Sequence, residues 1–167
     1  MTNQNEYILF DAGIFIGALL KGDTRHLEAR PLVESARHGT ISACTTTGIL
    51  SEVYAALTWI KAQPTHSPKE AGLAVRLLVE PPSQIKVLSD GLEATLKMLE
   101  LAEKYSLTAR RIHDARHAAT AIQSGITKIY TYDIDDWKVF KQDGLIICGP
   151  PSVLIKLISK RSEKFGE

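Results

Sequence analysis

A chain of 167 residues with 44% hydrophobic and 23% charged content has the size and balance of one soluble globular domain with room for a full core. Its formal net charge of +1 provides no strong global field for nucleic acid, so any such contact must rest on a local basic patch. No stretch is long and apolar enough to span a membrane, and the opening MTNQNE lacks the basic region and apolar run of a signal peptide, which points to the cytoplasm. Cys44 and Cys148 each sit in an apolar, strand-like stretch with no neighbour at metal-ligand spacing, as buried thiols of a reducing compartment do.

In chain order, Tyr7 to Phe10 is a short apolar strand that ends in Asp11, and Ile14, Phe15, Ala18 and Leu19 then mark one helical face. His26 to His38 is helix-like and is expected to break at Pro31. Ile41 to Thr45 is a second strand. Thr46 or Thr47 caps a helix running to about Ala62, with Glu52 on its first turns. Ser67-Pro68 reads as the N-cap and first residue of a helix that Pro81-Pro82 stops. Ile85 to Leu88 is a third strand. Asp90 is expected to cap a helix reaching Tyr105, with Leu92, Leu96, Leu99 and Ala102 on one face.

The alanine-rich run opened by His113-Asp114 is helical, and Gly125 stops it through the left-handed cap. Thr127 to Tyr132 is a strand, followed by Asp133, Asp135 and Asp136. Leu145 to Cys148 is another strand, and Val153 to Ile158 belongs to a final helix. Strands alternating with helices argue for an α/β layered domain with a mostly parallel sheet, in which ligands bind at the carboxyl ends of the strands. Asp11 and Asp133 are predicted at such ends. The whole chain reads as a single domain, 1–167, with loose tails at 1–6 and 160–167. The helical pair between Thr47 and Val79 lies between two strands, in a position to project as an arm.

Each acid has a plain structural reading. Asp11, Asp114 and Asp133 precede helical runs and suit N-caps, Glu52 suits a solvent-facing helix position, and Asp114 suits an ion pair with Arg110 one turn earlier. Against this, Asp11 lies between Phe10 and Ala12 and Asp114 lies in an alanine helix, and charges near a core are rarely left unpaired. A set of carboxylates without lysine partners repels itself, and a hard divalent cation such as Mg²⁺ or Mn²⁺ relieves that repulsion. His113 and His117 share a helical face, as a zinc pair would. No glutamate of the His-Glu-x-x-His kind and no cysteine accompanies them, so one packs against the sheet and the other faces solvent.

Four stretches carry a resemblance: ILFDAGIFIGALL, TTTGILSEVYAAL around Glu52, IHDARHAATAIQSGITKIYTYDIDDW, and the closing GLIICGP. In this order the chain resembles the PIN-domain ribonucleases, especially the VapC-type toxins of prokaryotic toxin–antitoxin pairs, along nearly its whole length. The resemblance implies a three-layer α/β/α fold and a metal-dependent endoribonuclease acting on RNA. It also implies a cognate protein antitoxin and a homodimer, for which Leu57, Trp59 and Ile60 are candidate interface residues.

By the same resemblance Asp11, Glu52, Asp114 and Asp133 form the catalytic and metal site for Mg²⁺ or Mn²⁺. Asp135 or Asp136, together with Thr131, would support it. Arg110, Arg111 and Arg116 lie near Asp114 and are candidates for RNA phosphates, as are Lys21 and Arg25 in the loop after the first helix. Trp59 and Trp137 suit core or interface packing better than base stacking. The family usually carries Asn, Ser or Thr two residues after its first aspartate, whereas this chain has Gly13. That departure keeps open a second reading, a non-catalytic PIN-like module that binds RNA or protein.

Overall fold

The structure is a computed structural model and describes residues 6–154. The expected tail 160–167, most of the tail 1–6, and the greater part of the final helix lie outside the described residues. Five parallel strands form one sheet in the order β3-β2-β1-β4-β5: β1 Ile8–Phe10, β2 Ala43–Thr46, β3 Lys86–Leu88, β4 Lys128–Tyr130 and β5 Ile146–Cys148. Around it run helices α1 Ala12–Leu19, α2 His26–Arg37, α3 Thr47–Thr58, α4 Pro68–Val79, α5 Leu92–Lys104, α6 Arg111–Gln123 and the short α7 Ile134–Trp137, followed by a 3₁₀ segment Lys138–Asp143. The sheet is entirely parallel, where the sequence suggests mostly parallel. The strand order reverses between β1 and β4. Right-handed crossovers then put α1 to α4 on one face and α5 to α7 on the other, a three-layer arrangement with a crevice at the switch point.

The strands are short and near-continuously buried: Leu9, Phe10, Ala43, Cys44 and Ile129 are at most 1% exposed, as strands covered on both faces require. Cys44 is buried, and desolvation pushes its thiol up to about 12; Cys148 is only half-buried, against the expectation for both. Gly17 lets α1 and α2 meet closely, since a Cβ there would lie 3.2 Å from that of Ala29.

Several expected features are corrected. Helix α2 is unbroken at Pro31. The carbonyl that loses its N–H partner is that of Leu27, a residue 89% exposed and so open to water, while Ala29, Val33 and Ala36 hold the helix to the core. Helix α3 ends at Thr58 rather than near Ala62. Thr58 turns its hydroxyl back onto the Tyr54 and Ala55 carbonyls, and the His66 N–H takes the Leu57 carbonyl. The α3–α4 pair does not project. Val53, Leu57, Ala71 and Leu78 are at most 2% exposed, and α4 closes over a crevice lined by α1 and α2. Leu57 is therefore core, whereas Trp59 and Ile60 are exposed. Ser67 does cap α4, in a reciprocal box with Glu70.

Helix α5 is turned away from its expected face. Leu92, Leu96 and Leu99 are 73%, 52% and 53% exposed, while Ala94 and Leu101 are buried and Met98 packs against the core. Both sets have the i, i+4, i+7 spacing of an apolar stripe, so periodicity alone could not choose between them. Asp90 does not cap α5, whose N-cap is Gly91 without a side-chain bond. Replacing Leu101 by Ala should cost about 2–5 kcal/mol in urea denaturation. Leu96→Ala should stay within about 0.5 kcal/mol, and equal losses would restore the expected face.

Candidate active site

Asp11 stands at the carboxyl end of β1 and caps α1 with its own side chain. One carboxylate oxygen accepts the Ala12 N–H at 2.8 Å, and the other accepts the Thr131 hydroxyl at 2.7 Å and the Trp137 indole N–H at 3.1 Å. Only 6% of Asp11 is exposed. Burial raises its pKa above the ordinary carboxylate value, against the pull of the Thr131 and Ala12 hydrogen bonds. The Thr131 hydroxyl also accepts the Asp133 N–H at 2.9 Å, so one side chain ties the acid after β1 to the loop after β4. Asp133 occupies the N-cap position of α7 without making a cap bond.

Glu52 lies on the second turn of α3 and faces α6. Its carboxylate meets His117 Nε2 at 2.8 Å, and His117 Nδ1 meets the Thr46 hydroxyl at 3.0 Å. Thr46 also accepts the Ile49 N–H as the cap of α3, so the His117 ring bridges that cap to Glu52. His117 is 1% exposed and His113 is largely exposed, as the sequence suggested for the pair. With both ring nitrogens of His117 engaged, the two do not make a zinc site. A glycine is required behind this ring: at Gly48 a Cβ would stand 2.9 Å from the His117 ring and 3.1 Å from the Arg116 guanidinium carbon.

Asp114 sits in the first turn of α6 and neither caps it nor pairs with Arg110. Burial first, then the negative charges of Asp11, Asp136 and Glu52, push its carboxyl up to about 6. A cavity of about 260 Å³ is lined by Glu52, Asp114, Asp136, Arg110, Arg111 and His113. Asp136, not Asp135, lines this space, and Asp135 meets Lys138 at 3.1 Å. Asp11 adjoins Asp114 electrostatically, and Asp133 adjoins Asp11. Arg111 donates to the Asp136 carbonyl at 2.9 Å. Arg116 is taken up by Asp90, which also accepts the Thr47 hydroxyl, so two of the three candidate arginines border the cavity.

Among the described residues no three His, Cys, Asp or Glu side chains converge tightly enough to hold an ion as they stand. The donor chemistry nevertheless suits a hard cation. The groups are carboxylates in excess of cations, and burial and neighbouring acids make one of them, Asp114, harder to ionise than an ordinary aspartate. A Mg²⁺-sized ion keeps several waters and needs only one or two carboxylates besides substrate phosphate.

Residues 8–141 match the model of the PIN domain family. The chain belongs to the PIN domain family. Its fold is shared with solved toxins. VapC20 of Mycobacterium tuberculosis, a sarcin-ricin loop cleaving toxin, is 18% identical, with 83% of this chain and 96% of that chain covered and a TM-score of 0.61. VapBC2 from Rickettsia felis, solved on a DNA fragment from its promoter, is 15% identical with coverages of 86% and 98% and a TM-score of 0.59. DNA-bound VapBC from Salmonella typhimurium is 17% identical with coverages of 86% and 97% and a TM-score of 0.58. No curated protein matches the chain. Among the described residues no helix of this PIN chain is long and apolar enough to cross a membrane.

Two roles in the site were missed in the sequence. Trp137 was read as packing, and it is fully buried, yet its indole also anchors Asp11. The histidine partner of Glu52 had one visible signal, a polar ring placed in a run of alanines that pack inward.

The raised carboxyl of Asp114 has a definite sign. The folded chain binds a proton at Asp114 more tightly than the unfolded chain, so stability falls as pH rises from about 4 to 6 and the cost is complete above that. In chelator, Asp114→Asn should raise Tm at pH 7 and lose that part of the pH dependence. Melting curves at pH 5 and pH 7 check it; equal curves for both proteins would mean that Asp114 ionises without strain.

Proposed function

We propose that this PIN chain is a metal-dependent endoribonuclease, a toxin held inactive by a cognate antitoxin in the cytoplasm. The observation that carries the reading is Asp114, a half-buried carboxyl pushed to about 6 by burial and by Asp11, Asp136 and Glu52. Perturbed acids facing a cleft are where proton and metal chemistry is done. Asp11 and Asp114 would hold Mg²⁺ or Mn²⁺, with Glu52 and Asp133 completing its surroundings and Asp136 behind them. A bound divalent cation supplies polarisation of a phosphoryl oxygen and a water of lowered pKa. The chain's own groups do the rest. Thr131 and Trp137 hold Asp11 in one orientation, His117 does the same for Glu52, and Arg110 and Arg111 give the rim positive charge for RNA phosphates.

Solved relatives of this fold include complexes of toxin with antitoxin, which supports a protein partner here. A homodimer belongs to the same expectation. Both associations need apolar surface, and Trp59, Ile60 and the Leu92–Leu96–Leu99 stripe of α5 offer it.

Incubation of the protein with RNA and Mn²⁺ or Mg²⁺ should give cleavage that Asp11→Asn and Asp114→Asn each reduce by at least about 100-fold, as loss of an electrostatic catalytic group does. Cleavage undiminished in both variants would sink the nuclease reading. A second reading, a non-catalytic RNA- or protein-binding module, rests on Gly13, which stands where the family usually carries Asn, Ser or Thr. Calorimetric titration separates the two: Mn²⁺ binding at neutral pH, weakened in Asp114→Asn, belongs to the enzyme, and no heat of binding belongs to the module.

A further inference from the structure

Gly13 lies on α1 two residues after Asp11, and the space its missing side chain leaves is filled. Nη1 of Arg25 comes to 3.0 Å from where a Cβ on Gly13 would stand, and the ring of Tyr132 borders the same spot at 3.7 Å. The guanidinium is held there from two sides. Its Nε and Nη2 make a bidentate pair with Asp23 at 2.8 and 2.6 Å, and its plane lies over Tyr132, 5.2 Å from the ring centroid. Tyr132 is itself fixed by a bond from its hydroxyl to Glu28 at 2.9 Å. Two of the three nitrogens are therefore committed to holding the group, which leaves Nη1 beside Gly13, two residues after Asp11, with the guanidinium in the field of Asp133.

We propose that Arg25 occupies the volume vacated at position 13 and presents Nη1 as an N–H donor to a substrate phosphate beside the acids. This rests on the nuclease reading above. The geometry is that of a preorganised phosphate ligand. A planar fork with one edge clamped by a carboxylate loses little rotamer freedom when its other edge takes an anion. Its side chain is 31% exposed, wet enough to be reached and sheltered enough for the contact to count. Hydrogen bonding to Asp23 does most to raise the Arg25 pKa above its ordinary value, and the negative charges of Asp23 and Asp133 add to it, so the group is a permanent cation beside Asp133. A polar side chain at position 13 would compete for the same volume, so Gly13 and Arg25 act as a pair.

The test separates this inference from the reading beneath it. In a cleavage-dead Asp114→Asn background, binding of a single-stranded RNA oligonucleotide is measured across a salt series for Arg25 and for Arg25→Gln. Loss of one charge-assisted phosphate bond should weaken binding about tenfold or more and lower the slope of log affinity against log salt by about 0.7. A merely structural role would move affinity without that loss of slope. Arg25→Lys should recover the slope and only part of the affinity, because a point charge replaces the fork. Gly13→Ser should displace the guanidinium and reproduce part of the loss, with little further loss when combined with Arg25→Gln. If Arg25→Gln does not fold, Arg25→Lys and Gly13→Ser carry the same readouts. Unchanged slope and affinity in these variants, while Asp114→Asn still abolishes cleavage, overturn the role of Arg25. Cleavage undiminished in both Asp114→Asn and Asp11→Asn instead overturns the nuclease reading itself.

Discussion

The buried carboxylate of Asp11 is the constraint on which the rest of the structure depends. It is a charge-bearing group almost out of reach of water, and such a group is tolerated only when its oxygens find donors. The donors come from three separate places, the first turn of α1, the end of β4 and the indole at the end of α7. Bringing them to one carboxylate sets the switch-point strands β1 and β4 side by side and draws the segment after β4 back over the strand ends. The acids that follow β4 owe their position to that closure.

A second unit works in the same way on the other side of the cleft. Thr46 ends β2, caps α3 and turns its hydroxyl to His117, which holds Glu52. Gly48 leaves room for the ring and for Arg116, and Asp90 collects Arg116 and Thr47. Polar residues that read singly as caps or surface groups therefore form one continuous support joining β2, α3, the loop after β3 and α6. Removing Thr46 or Glu52 would strand a nitrogen of the buried His117 ring, which costs more than the bond itself contributes.

Much of this was legible in the residues. The positions of Asp11 and Asp133 at strand ends followed from short apolar runs stopping at an acid, and Gly125 ended α6 in the left-handed conformation it was assigned. What failed did so for physical reasons. Leucine spacing on α5 fits two faces, and only packing against α6 selects Ala94 and Leu101. Proline at position 31 breaks a helix when the carbonyl it orphans is buried, and here that carbonyl is not. Asp90 has the composition of a cap, but a nearby arginine outbids a backbone N–H for a carboxylate. Long-range pairs such as Trp137 with Asp11, or His117 with Glu52, leave no trace in local pattern, because the partners are 126 and 65 residues apart.

The sheet itself has a bearing on how the chain can associate. Its two outer strands are three residues each, and one of them begins with Lys86, whose ammonium lies over the Tyr7 ring at 5.3 Å. So short a row of open backbone groups is a poor template for strand addition by another polypeptide. Assembly of this chain with copies of itself or with other proteins is thereby steered toward side-chain contacts on its helices, and continuous β-ribbons running from one molecule into the next are disfavoured.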